Sequence, residues 1–281
     1  MEEYLARVRG GRPPSPELIQ EMTHNYGAIG GRSPLTDLTQ AQGRALEGAL
    51  GPPFKVFVGM RNWHPFIVDV AREAIGAGAE EIVGLPMAPQ YSVLSVEKYL
   101  GAIREAVPES LPLVAVRAWF DHPGLLDAFA EKAREAIEEK GAFDRVVFTA
   151  HSLPRRAADH KEEPMPSYPE QVRRTAEGVA ARLDLERWEI AYQSAGRTPE
   201  PWLGPDLPQV LSDLATDGCR RVLVVPVGFV CDHTEILYDI DIQASEAARG
   251  MGIEVVRSQS LNSSATFIGA LADIVRRHNE S

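Results

Sequence analysis

The stretch Val222-Leu-Val-Val-Pro-Val-Gly-Phe-Val-Cys-Asp-His-Thr-Glu-Ile-Leu-Tyr-Asp-Ile-Asp241 decides the fold. It opens as a short, β-branched apolar run, the signature of a strand buried on both faces. It then turns acidic at Asp232, His233 and Glu235 and continues through Ile236, Leu237, Tyr238 and Asp239. A buried strand that ends in titratable groups sets them at the carboxyl edge of a sheet, where open α/β folds carry their sites. If residues 233–249 are helical, Asp232, Glu235 and Asp239 stand at i, i+3 and i+7 and share one helix face. Carboxylates beside an imidazole can ligate a divalent cation, and they can equally accept protons.

Outward from this stretch, strand and helix alternate. The pattern predicts strands at Lys55–Gly59, Glu81–Pro86, Pro112–Ala118, Arg145–Ala150, Glu189–Gln193, Arg221–Val230 and Glu254–Ser258. Helical patterns fall at 65–78, 93–106, 123–140, 168–183, 207–217, 233–249 and 263–278, after two earlier helices beginning near Ser15 and Asp37. Such alternation predicts an α/β protein with parallel sheets flanked by helices. So many parallel strands suit two lobes better than one very wide sheet. The seam falls near Trp119–Pro123, giving an N-terminal lobe of 1–119, joined by the last helix within 263–281, and a C-terminal lobe of 120–262. The first recognisable element is a helix, so the first lobe lacks the strand that normally opens a βαβ domain. Residues 154–168 read as a long polar loop of the kind that often carries function.

The 281 residues suffice for two modest cores, and the net charge of −11 argues against nucleic acid or anionic lipid as a partner recognised by charge. Two cysteines, Cys219 and Cys231, cannot build a disulfide framework or a four-thiolate cluster within this chain. With no signal-like segment and no apolar run of membrane-spanning length, a cytoplasmic protein is expected. Peripheral contact with a membrane through an apolar patch stays open.

Two further strand ends carry chemistry. Arg145–Ala150 runs into His151, followed by Ser152 and Pro154. A loop histidine that only bonds its neighbours is the plainer reading. A second strand end bearing His and Glu makes His151 with Glu235 a candidate metal-and-proton pair across a cleft. The loop after Tyr192-Gln-Ser is rich in Pro and Gly and holds Trp202, either a tucked surface aromatic or a wall for a flat apolar ligand. In the first lobe, Arg32, Ser33 and Arg61 suit a carboxylate. No nucleophile elbow surrounds Ser152, and no His-Glu-x-x-His motif is present.

Taken together, Ala150-His-Ser-Leu-Pro154, Tyr192-Gln-Ser194, Pro201-Trp-Leu-Gly-Pro205 and Pro226 through Asp241 resemble the ferrochelatase family, in the same order and at similar intervals. Tyr26–Leu35, Arg61–Pro65 and Pro89–Ser92 extend the resemblance over nearly the whole chain. It implies two Rossmann-like lobes with the active-site cleft between them. It implies insertion of ferrous iron into a porphyrin, protoporphyrin or coproporphyrin, with release of two protons, late in haem synthesis. His151 and Glu235 then match the catalytic pair, and His151, Glu235 and Asp239 the metal-handling groups. Tyr26, Ser33, Arg61, Tyr91, Trp202 and Phe229 match substrate-binding positions, and Asp232 and His233 supporting ones. Iron is a substrate in this reading, with no tightly bound cofactor and no iron–sulfur cluster, and a monomer is favoured. Gln243 stands where many members carry an acid. A chelatase for another metal and tetrapyrrole, or a two-lobed haem or metal carrier without turnover, are the alternatives.

Overall fold

The computed structural model describes residues 1–159 and 165–279. Of the polar loop at 154–168, residues 160–164 lie outside the described part. The chain starts with helices α1 (Glu2–Val8), α2 (Pro16–Ala28), α3 (Leu35–Leu50) and α4 (Ile67–Gly76). Strands β1 (Ile82–Gly84) and β2 (Leu113–Ala115) follow, on either side of α5 (Val96–Ala106). After α6 (Pro123–Lys140) come β3 (Arg145–His151), the short α7 (Arg155–Ala158), α8 (Tyr168–Arg182) and β4 (Trp188–Gln193). Next are α9 (Leu207–Thr216), β5 (Arg221–Val225), α10 (Thr234–Leu237), a π-helical turn (Asp239–Ala244) and α11 (Ser245–Gly250). Strand β6 (Glu254–Arg257) and α12 (Ala265–Asn279) complete the described chain. Ser15 caps α2 through its hydroxyl, which accepts from Leu18 N, with Pro16 in the first turn.

The larger sheet is all parallel in the order β4-β3-β5-β6. Its central strands are buried on both faces, which is why their sequences read as unbroken apolar runs. Phe148, Leu223 and Val225 point into one core, shared with α6, α8 and α12. Their neighbours Val147, Val222 and Val224 point into a second, shared with α9 and with Ile236 and Ile240. The order doubles back at β3: β4 lies on one side of it and β5 on the other. Right-handed crossovers therefore put α8 and α9 on opposite faces. The switch point falls between β3 and β5, so the loops leaving these two strands open a crevice.

The two-lobed α/β reading holds, and three local expectations do not. Strand β5 stops at Val225 instead of Val230, because Pro226 has no N–H to give a ladder. The helix predicted over 233–249 is broken into α10, the π turn and α11. Lys55–Gly59 joins no ladder. In that lobe the described sheet is only β1 paired with β2. Met60 bridges locally to Phe66, and Val58 packs side-on to Gly43. Helix α12 packs against both α3 and α6, and its Phe267 stacks on Trp119 with ring centroids 6.1 Å apart.

Past the end of β5, Gly228 N donates to Thr149 O at 3.0 Å. A Cβ on Gly228 would sit 2.7 Å from Ala150 Cα, so this approach requires glycine. Gly228→Ala is predicted to lower stability by about 1–3 kcal/mol, as overpacking against backbone does. Urea unfolding checks this, and an unchanged midpoint would contradict the close packing.

Candidate active site

Both strand ends at the switch point deliver a histidine, and both rings are fixed by the backbone. His151 Nδ1 meets the carbonyl of Ser152, and His233 Nδ1 meets that of Cys231 at 3.0 Å. A carbonyl oxygen can only accept, so each Nδ1 carries the hydrogen. Each Nε2 is then the nitrogen left to work. Both turn toward the same carboxylate oxygen: His151 Nε2 lies 3.5 Å and His233 Nε2 3.7 Å from Glu235 Oε2. The ring of Phe229 stands beside both, 6.5 Å from His151 and 4.9 Å from His233 between centroids.

The surrounding backbone is held just as firmly. Tyr168 Oη donates to the His151 carbonyl at 3.0 Å, and Gln193 Nε2 donates to the Glu235 carbonyl at 2.8 Å. Ser152 donates its hydroxyl to Leu203 O at 2.8 Å, so it is tied to a loop rather than to His151. Ser194 has a left-handed backbone, φ 58°, which a non-glycine residue adopts only under constraint. Its hydroxyl donates to Asp239 Oδ2 at 2.5 Å.

Electrostatics separate the acids. Burial raises the pKa of Glu235, but the His151 charge and the bond and charge of His233 outweigh it and bring the group to about 2. Glu235 is nonetheless 40 % exposed, and the space it faces is the cavity. Asp239 moves the other way: burial raises it, Ser194 partly opposes this, and the Glu235 charge adds to the rise. Burial lowers the pKa of His233, yet its bond to Glu235 and that charge leave it raised overall. Cys231 is pushed up to about 12, chiefly by burial, so at neutral pH it is a thiol and not a metal-binding thiolate.

Glu235, Asp239, His233 and Gln243 line a cavity of about 2290 Å³ that reaches across to the first lobe. There Tyr26, Ser33 and Arg61 line it as well. Arg61 donates to Leu94 O at 3.0 Å and lies over the Tyr99 ring. Ser33 Oγ accepts from Leu35 N at 3.3 Å. Val56, Val58, Ile82 and Val83 also line the cavity.

Five of the expected site residues stand outside the cavity lining. Tyr91 does not line the cavity. It is buried, receives a bond from Arg117 at 3.0 Å, and binds Gln171 through its backbone N–H. Trp202 turns onto its own loop, closing over Gly196 and donating from Nε1 to Thr198 Oγ1 at 3.1 Å. Asp232 precedes the helix and does not share the face of Glu235. It faces Ser260 and Asn262, at 2.7 and 3.0 Å. His151 and Phe229 are half-buried beside the cavity lining, and His151 meets that lining at Glu235. Among the described residues no three His, Cys, Asp or Glu groups converge as a preformed metal site.

Sequence reading missed Tyr4, Trp63, Tyr238 and Ser194. Tyr4 lines the cavity and meets Tyr26 and Trp63 edge-on at 6.4 and 6.2 Å. The available signal was an aromatic on a short charged helix ahead of a glycine-rich turn. For Ser194 it was a polar residue directly after a buried strand.

The fold is chelatase-like. SirB from Bacillus subtilis superimposes with a TM-score of 0.61 at 14% identity, over 86% of this chain and 90% of its own. The sequence model of the family described as Ferrochelatase matches residues 10–279. A ferrochelatase of Deinococcus radiodurans is 41% identical over 99% of this chain and 90% of its own. A coproporphyrin III ferrochelatase of Halalkalibacterium halodurans is 34% identical over 99% and 91%. The chain belongs to the ferrochelatase family.

A raised pKa for His233 means that its ion pair with Glu235 stabilises the fold below the ordinary imidazole value. That contribution is lost as pH rises through the raised one. An NMR titration is predicted to place His233 above about 6.5, and lower in Glu235→Gln. A wild-type value below the ordinary one would contradict the pairing.

Proposed function

We propose that this chain inserts ferrous iron into a porphyrin, releasing the two inner N–H protons, as a late step of haem biosynthesis. One observation supports this above the others: two imidazoles with fixed Nδ1 atoms direct their Nε2 atoms at one ionised carboxylate. A macrocycle that loses two protons as it gains a dication needs a base next to a group that stabilises the proton taken. His151 Nε2 is that base. Glu235, held ionised, stabilises the imidazolium that forms, and Asp239 receives the next proton because its own pKa is raised. Iron approaches along Glu235 and Asp239, which act as separate weak ligands; a closed site would hold the ion instead of passing it on.

The macrocycle lies in the large cavity. Tyr26 and Tyr4 offer it an apolar wall, and Arg61 with Ser33 meets its propionates at the first-lobe end. Relatives named ferrochelatase and coproporphyrin III ferrochelatase match this chain at similar length; protoporphyrin and coproporphyrin differ in carboxylate count, which is read at that end. Residues 1–119 with 263–281 make up the porphyrin-holding lobe and residues 120–262 the metal-handling lobe.

His151→Ala and Glu235→Gln are predicted to lower ferrous or zinc insertion by about 10²–10⁴-fold, the usual loss for a general base or its partner. Porphyrin affinity, followed by fluorescence quenching, is predicted to change little. Insertion at the wild-type rate in both variants, followed through the Soret band, would remove this assignment.

A further inference from the structure

Behind the wall that presents His233, Glu235 and Asp239 stands a buried arginine that the chemistry above does not use. Arg257 ends β6, and its side chain is only 13 % exposed. Its Nε donates to Asp241 Oδ1 at 2.6 Å and its Nη2 to Asp241 Oδ2 at 2.8 Å, a two-point fork. Its Nη1 lies 3.3 Å from Asp232 Oδ1 and donates to Ser258 O at 3.0 Å. Asp232 is held in turn by Ser260 and Asn262, and its own N–H donates to Asn262 Oδ1 at 3.0 Å.

The two acids sit at telling places. Asp232 is the last residue before His233, and Asp241 lies two residues after Asp239 inside the π turn. One guanidinium therefore fastens both ends of the segment that carries all three site groups. In the π turn Gln243 N reaches back to Tyr238 O at 2.8 Å, one residue further than an α-helical bond. With the wider turn, Asp239 faces the cavity while Asp241 faces Arg257.

The geometry points to Arg257 as a positioning residue for metal insertion: by clamping Asp232 and Asp241 together it sets the spacing of Glu235 and Asp239 along the path of the ion. This rests on the assignment of that path proposed above. Lysine cannot replace the fork, because it offers one point charge instead of two parallel donors. Porphyrin binding is separable from the clamp, since Arg257, Asp232 and Asp241 do not themselves line the cavity.

The test uses the full chain with zinc as the metal. In Arg257→Met and in Asp241→Asn, kcat/KM for the metal at saturating porphyrin is expected to fall about 10–100-fold, as losses of supporting contacts at metal sites do. The porphyrin Kd from fluorescence quenching is expected to stay within about twofold, Arg257→Lys to recover little, and the double variant to be no worse than the poorer single one. Wild-type kcat/KM in folded Arg257→Met overturns the proposal, and so does loss of porphyrin binding in step with activity, which marks a general loss of structure. Should Arg257→Met not fold, Asp241→Asn decides by the same readings. Glu235→Gln separates the two ideas. Insertion surviving there removes the path itself, while insertion lost there but kept in Arg257→Met removes only the clamp.

Discussion

The hydrogen bond from Gly228 N–H to the Thr149 carbonyl carries the β3–β5 pairing past the point where Pro226 ends the ladder. The site depends on that contact. Only a residue without a side chain can lie so near Ala150, and His151 is the next residue along β3. From Gly228 the chain needs only a few residues to reach His233 and Glu235. Two strand ends that merely neighbour one another would leave their loops free to diverge. Locked together, they bring an imidazole from each onto one carboxylate.

The environments then divide the work between the acids. Glu235 faces two imidazoles, and their charges overcome its burial; Asp239 faces a hydroxyl and a like charge, and burial prevails. Two carboxylates one helical step apart thus titrate in opposite directions, the pattern that allows one to stay charged while the other exchanges a proton. Backbone groups supply much of the order. The carbonyls of Ser152 and Cys231 choose the imidazole tautomers, and Gln193 and Tyr168 hold the carbonyls of Glu235 and His151.

Much of this was legible in the chain. The doubly buried runs at 145–150 and 221–225 gave parallel central strands, because a strand covered on both faces has no polar side to show. Histidines directly after such runs stand at the carboxyl edge, so the pairing of His151 with Glu235 followed from topology. What could not be read depended on where the backbone turned. Asp232 has suitable spacing for the face of Glu235, but the helix begins after it and the side chain turns to Ser260 and Asn262. Trp202 looked like a wall until its loop folded back over Gly196. Lys55–Gly59 has strand composition, but composition does not supply a neighbour to pair with. The π turn left no mark in the periodicity, since its apolar residues still fall on the buried side.

The arrangement of Glu235 beneath two imidazoles as the place of metal insertion is most directly tested by a crystal structure of the chain with a metal-free porphyrin bound. The macrocycle is predicted to lie in the cavity between the lobes, with a pyrrole nitrogen within roughly 3–4 Å of His151 Nε2 or of a Glu235 oxygen, the reach that proton transfer requires. A porphyrin seated elsewhere, with no inner nitrogen near either group, would contradict it.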